Sequence, residues 1–181
     1  INLVEAKKLQ TNYFHKYNTS LNGLMIHHDI PPKEFLNFVH DIDLSFMEKD
    51  IVLRGEIEKL DLRKFVFTNG SSEHVNNITT HLGIDDLFDD VFDIVDAEYS
   101  PKPAAKAFDL MVKKFDIDPT ETIYIEDIAK NLSIGKERGA TTVWLINNEY
   151  WGKKESDKDY IDYKIENLSL FLKEIRLLKN S

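Results

Sequence analysis

After Asp50 the chain settles into a regular alternation of short apolar runs and helical patterns, and no other feature narrows its fold as much. The runs at 64–67, 91–95, 122–125 and 141–146 are rich in β-branched and aromatic residues, with 163–165 as a short edge candidate. Between and after them the apolar spacing predicts helices over 51–60, 71–82, 102–115, 128–138 and 168–178. Gly83 and Gly139 stand where two of these helices should stop. Strands alternating with helices of about ten residues or more imply βαβ units, hence an α/β fold with a doubly wound, mostly parallel Rossmann-like sheet. Such strands are short apolar runs because both faces are covered, and ligands gather at their carboxyl ends.

The first fifty residues read differently. Leu3, Leu9, Tyr13 and Tyr17 recur at helical spacing, and breaks at Asn18-Thr19-Ser20 and Asp29-Ile30-Pro31-Pro32 divide the region into helices over 2–17, 19–28 and 32–40. No strand is expected there. The chain therefore divides into a helical segment, 1–49, and an α/β core, 50–181. The charged stretch 147–162, around Tyr150-Trp151-Gly152, reads as a solvated loop with an aromatic anchor.

Charge and composition exclude several functions. A formal net charge of -9 opposes binding to a nucleic-acid polymer, where clustered Lys and Arg must replace counterions, yet leaves room for one small phosphate. No stretch approaches the roughly 18 consecutive apolar residues of a membrane span. The absence of cysteine removes disulfides, thiolate nucleophiles and Cys-type zinc sites, and fits a reducing, cytoplasmic setting.

Three stretches carry candidate chemistry. Glu126 and Asp127 end the run at 122–125 and enter a helix; adjacent acids repel, and a site that keeps both ionised supplies a cation, for which hard oxygen ligands suit Mg²⁺. Taken alone the pair is equally an acidic helix start. Thr68-Asn69-Gly70 offers a hydroxyl, a carboxamide and the N–H groups of a helix start to a phosphate, or else is an ordinary Asn-Gly turn. Lys102, stiffened by Pro103, could neutralise a phosphoryl group, though a lysine before proline is most often simply exposed.

In order and spacing these stretches resemble the haloacid dehalogenase superfamily of Mg²⁺-dependent phosphohydrolases, most closely its pyrimidine 5'-nucleotidase group. The resemblance is carried by Phe65-Val-Phe-Thr-Asn-Gly70, Phe92-Asp-Ile-Val95, Pro101-Lys-Pro103, Ile125-Glu-Asp-Ile-Ala-Lys-Asn-Leu132 and Gly139-Ala-Thr-Thr-Val143, with helical support from Asn22-Gly-Leu-Met25 and 38–44. It implies that 1–49 is a helical cap and that the substrate is a nucleoside monophosphate, hydrolysed through an aspartyl-phosphate. Thr68, Asn69 and Gly70 would hold phosphoryl oxygens, and Lys102 would offset their charge. Asp127 would hold Mg²⁺, Glu126 would orient a metal-bound water and Asn131 would brace the metal loop. Tyr17, Asn18, His40 and Asp41 would be the cap's polar contacts to the base. Two alternatives stay open: a sugar phosphate or other small phosphomonoester as substrate, and a non-catalytic interaction domain. A phosphoacceptor signalling domain fits less well, since those place the acid pair before the Thr and Lys.

The family's opening Asp-x-Asp-x-Thr, whose first Asp attacks phosphorus, has no counterpart before the helical region. Asp41-Ile42-Asp43 has the spacing but follows helices rather than an apolar strand. With Ile1 as its first residue, the chain reads as a trimmed fragment whose nucleophile strand is missing. Such a fragment is expected to be inactive alone and to have a gap or altered pairing beside 122–125.

Overall fold

In the computed structural model, which describes residues 1–179, four helices precede the first strand, three of them before Asp50. Helix α1, Leu3–Tyr17, opens with a capping box in which the Asn2 side chain accepts from the Glu5 N–H and Glu5 returns the bond. Helix α2, Ser20–His28, is capped by Thr19, and α3, Pro32–His40, starts on a proline whose missing N–H would have been unpaired anyway. This region is thinly packed. Helix α1 buries no residue, α2 buries Leu21 and Gly23, and α3 buries Leu36. Leu21 and Leu36 meet Ile94 of the remaining chain.

The remainder alternates as α4 Ile51–Glu58, β1 Phe65–Phe67, α5 Ser72–Leu82, β2 Asp90–Phe92, α6 Ala105–Phe115, β3 Ile123–Glu126, α7 Leu132–Glu137, β4 Thr141–Leu145, β5 Tyr163–Ile165 and α8 Leu168–Lys179. Every strand pairing is parallel. The pairing falls into two sheets, β1-β2 and β3-β4-β5, with no ladder joining β1 to β3 among the described residues. Period-two alternation covers both faces of β3. Tyr124 packs with Phe92, Phe108 and Leu132 on one side, while Ile125 packs with Ile57, Ile84 and Leu172 on the other. Full burial of side chains such as Phe108 and Leu132 stabilises the fold by roughly 1.5–3 kcal/mol each.

Three boundaries differ from the sequence reading. The run at 91–95 stops as a strand at Phe92, because the Asp93 carboxylate draws the backbone into a turn by accepting from the Val95 and Asp96 N–H groups. The helix expected from Lys102 begins at Ala105, since Lys102 and Pro103 form a turn that Asn69 holds through the Lys102 N–H. The expected helix 128–138 is split into a three-ten turn, Ala129–Asn131, and the short α7. Asn131 is tied there to Glu126, which itself belongs to β3 rather than to the loop beyond it.

Candidate active site

The carboxyl ends of β1 and β3 bring Asn69, Lys102, Glu126 and Asn131 into one hydrogen-bonded chain, with Thr68 and Gly70 bonded to each other beside it. The Asn69 Oδ1 accepts from the Lys102 backbone N–H at 2.8 Å. The Lys102 ammonium donates to the Phe67 carbonyl at 2.8 Å and to Glu126 Oε2 at 2.6 Å. Lys102 and Glu126 are both buried, at 6% and 8% exposure, so removing either charge would leave the other unpaired in a poorly solvating interior. Glu126 Oε1 accepts from Asn131 Nδ2 at 3.1 Å, and the Tyr124 hydroxyl lies 3.4 Å from Oε2. Burial first, then the Glu126 charge, pushes the Tyr124 phenol well above its ordinary range and keeps it neutral.

These bonds define what remains to act. An ammonium has three donors, and Lys102 uses two within the protein, leaving one. Asn69 commits its oxygen and keeps its Nδ2 donors. Thr68 Oγ1 accepts from the Gly70 N–H at 2.9 Å, so its own hydrogen is free to be donated. The Gly70 N–H expected to meet phosphate is therefore engaged by Thr68, and Gly70 contributes a close approach instead. Glu126 is also recast: with both oxygens accepting from protein groups, it orients Lys102 and Asn131.

Asp127 stands one residue beyond, on an exposed edge. Partial withdrawal from water, followed by the Glu126 charge, raises its carboxyl above the ordinary aspartate value. Asn147 donates to its Oδ2 at 3.0 Å, and the Trp144 indole donates to its carbonyl at 2.9 Å. Neither residue was expected from sequence. Trp144 lies opposite Glu126 in the β3-β4 register, and only that pairing could have revealed it. A cation beside Asp127 would relieve the like-charge strain with Glu126, so the acid fits Mg²⁺. Among the described residues no group of three His, Asp or Glu side chains is placed to hold a metal. An octahedral ion that keeps most of its waters needs only one or two carboxylates plus substrate oxygens.

Above these strand ends lies a cavity of about 150 Å³. Phe14, His15, Asn18 and Thr19 line it from the end of α1 and the junction with α2. Asn69, Ile128, Lys130 and Asn131 form its floor. Trp151 and Lys154 close it from the loop after β4, which is tied down where the Ala129 N–H donates to the Gly152 carbonyl at 2.9 Å. Lys130 Nζ donates to Asn18 Oδ1 at 2.7 Å, and the Tyr150 hydroxyl and His15 Nε2 are 2.7 Å apart.

Of the four expected cap contacts, Asn18 faces this cavity. Tyr17 instead meets His27 at 2.6 Å within the helical region. His40 lies beside Gly70, bonded to Ser71 at 3.0 Å and stacked on His74 at 4.0 Å. Asp41 is exposed at the end of α3, and neither it nor Asp43 lies on a strand.

Known proteins resemble this chain in sequence and in fold. The family model for haloacid dehalogenase-like hydrolases matches residues 53–139. A D-ribitol-5-phosphate phosphatase of Bacteroides thetaiotaomicron is 26% identical over 151 residues, covering 82% of this chain and 72% of the relative. A glyceraldehyde 3-phosphate phosphatase of Pyrococcus furiosus is 34% identical over 92 residues, half of this chain but only 38% of that protein. Among solved structures, a HAD phosphatase from Thermococcus onnurineus superposes with a TM-score of 0.62 at 19% identity, covering 99% of this chain and 81% of that one. An L-2-haloacid dehalogenase from Xanthobacter autotrophicus gives 0.59 at 13% identity over 95% and 82%. Residues 53–139 thus resemble the haloacid dehalogenase-like hydrolases in sequence, and the chain shares the fold of these solved structures.

Proposed function

We propose that this protein hydrolyses a small phosphomonoester of the sugar- or polyol-phosphate class. The observation that carries the reading is the set of free donors on Thr68, Asn69 and Lys102, anchored by Glu126, with Asn69 also on the floor of a cavity of about 150 Å³. Ligand pockets commonly span about 300–1,000 Å³, so this one suits a short hydroxylated chain better than a ribose with its base. The names of the two relatives point the same way, which turns the reading from a pyrimidine nucleotide to the sugar-phosphate alternative.

In this reading the Thr68 hydroxyl and Asn69 carboxamide donate to phosphoryl oxygens. The third Lys102 donor offsets the charge those oxygens gain as the ester bond breaks. Glu126 keeps Lys102 aimed without competing for substrate. Asp127 would hold Mg²⁺, which when bound supplies Lewis-acid polarisation of a phosphoryl oxygen. Asn147 fixes the orientation of that carboxylate. The aspartate that the family resemblance makes attack phosphorus is assigned to no residue of this stretch.

Phosphate release by the full-length protein from D-ribitol 5-phosphate, glyceraldehyde 3-phosphate and a pyrimidine nucleoside monophosphate tests the proposal. The first two should be turned over with Mg²⁺ and stop with chelator. Faster hydrolysis of the nucleotide, or undiminished turnover in chelator, would overturn it. Asp127→Asn should lower turnover by about a hundredfold or more, since even outer partners of metal ligands are worth about 10–100-fold.

A further inference from the structure

The cavity has a charge that the rest of the chain does not lead one to expect. Asp and Glu outnumber Lys and Arg by 32 to 23, yet two lysines and a histidine line this space and no carboxylate does. The lysines are not neutralised by the protein either. The only hydrogen bond of the Lys130 ammonium among the described residues is to the neutral Asn18 oxygen, and Lys154 forms none there. Other lysines, including 59, 102, 106, 114, 136 and 179, have carboxylate partners. Lys130, half-buried, and Lys154, exposed, face the same space without a carboxylate partner and are poised for an anion from outside, and lysine is a compact, rotatable point charge suited to that task.

We propose that this cavity receives the part of the substrate beyond the phosphate, and that it selects a group with its own carboxylate, as in a short phosphorylated hydroxy acid. The inference rests on the phosphomonoester reading and narrows it. Asn69 belongs both to the phosphoryl donors and to the cavity floor, so a two- or three-carbon chain starting at the phosphate enters directly beneath Lys130. Phe14 and Trp151 supply apolar walls beside the lysines.

Two substrates of almost equal size isolate the carboxylate: 3-phosphoglycerate and glyceraldehyde 3-phosphate. With the full-length protein and Mg²⁺, kcat/KM should favour the acid by about tenfold or more, the size expected for a hydrogen bond to a charged group. In the double variant Lys130→Met, Lys154→Met the preference should collapse toward one, mainly through KM for the acid. Equal losses for both substrates would mean that the lysines serve the phosphate itself, and a wild-type preference for the aldehyde would place no carboxylate here; either result overturns the proposal. If no phosphomonoester is hydrolysed, the enzymatic reading fails separately, and calorimetry with glycerate decides the cavity. Binding that the double variant weakens by about tenfold would sustain the carboxylate site. Absent or unchanged binding would remove it.

Discussion

Two lysines near the same cleft show how differently its floor and its contacts with the roof are built. Lys102 sits in the floor, buried, with a carboxylate and a backbone carbonyl fixing its ammonium. Lys130 reaches toward the roof and is held by one neutral oxygen on Asn18, at the end of a helix that buries nothing. The floor is over-determined and the roof is under-determined. A phosphoryl group is the same in every substrate and rewards rigid positioning, whereas its attached group varies and is served by contacts that can adjust.

The largest test of this contrast is to break the floor. Glu126→Ala should destabilise the protein by about 3–5 kcal/mol, the usual cost of orphaning one member of a buried ion pair. Urea unfolding would measure it; a loss below that range would mean that Lys102 escapes to solvent and the floor is softer than its bonds imply. Next come two glycines at close contacts. A Cβ on Gly135 would lie 2.5 Å from the ring of buried Tyr124, and Gly135→Ala should cost about 1–3 kcal/mol through overpacking. A Cβ on Gly23 would lie 2.3 Å from Tyr13 Cγ and 2.5 Å from Tyr13 Cβ, at the root of that side chain, so only a shift of α1 can relieve the clash; because α1 buries no residue it can give, and Gly23→Ala should cost less than its counterpart in the floor. Equal midpoints for the two variants would erase the distinction.

The smallest effect concerns the seam between helices and core, where His40 and His74 stack. Burial, and secondarily His74, lowers His40 to about 4, and burial also lowers His74. A folded value below the unfolded value of 6.5 means that the unfolded chain takes up protons first. The contribution is therefore full above about pH 6.5 and is lost as pH falls through about 4. His40→Asn should flatten the decline of the unfolding midpoint across that window; an unchanged slope would assign the decline to other groups.

Much of this was legible before any coordinates. The α/β alternation appeared because buried parallel strands need continuous apolar runs, and 122–125 and 141–146 are such runs. The gathering of Thr68, Lys102 and Glu126 was legible only through family resemblance, since 24 residues separate the last two and no local pattern reports contacts at that distance. Which oxygens remain free was not legible. Glu126 and Asp127 are neighbours in sequence, but strand alternation buries one beneath Lys102 and leaves the other at the edge. Asn147, Trp144 and Lys130 escaped notice because their roles come from register and loop closure rather than from residue spacing.

Trp144, holding the Asp127 carbonyl, and Trp151, walling the cavity, are the only tryptophans in the chain, and their surroundings make them optically distinct. The first, at 6% exposure, should emit at short wavelength, while the second, at 38%, should emit further to the red. The molecule thus carries its own two-colour lamp. A guest entering the cleft should shift the red component of the fluorescence, a disturbance at Asp127 should alter the blue one, and the two events can be timed separately without attaching a label.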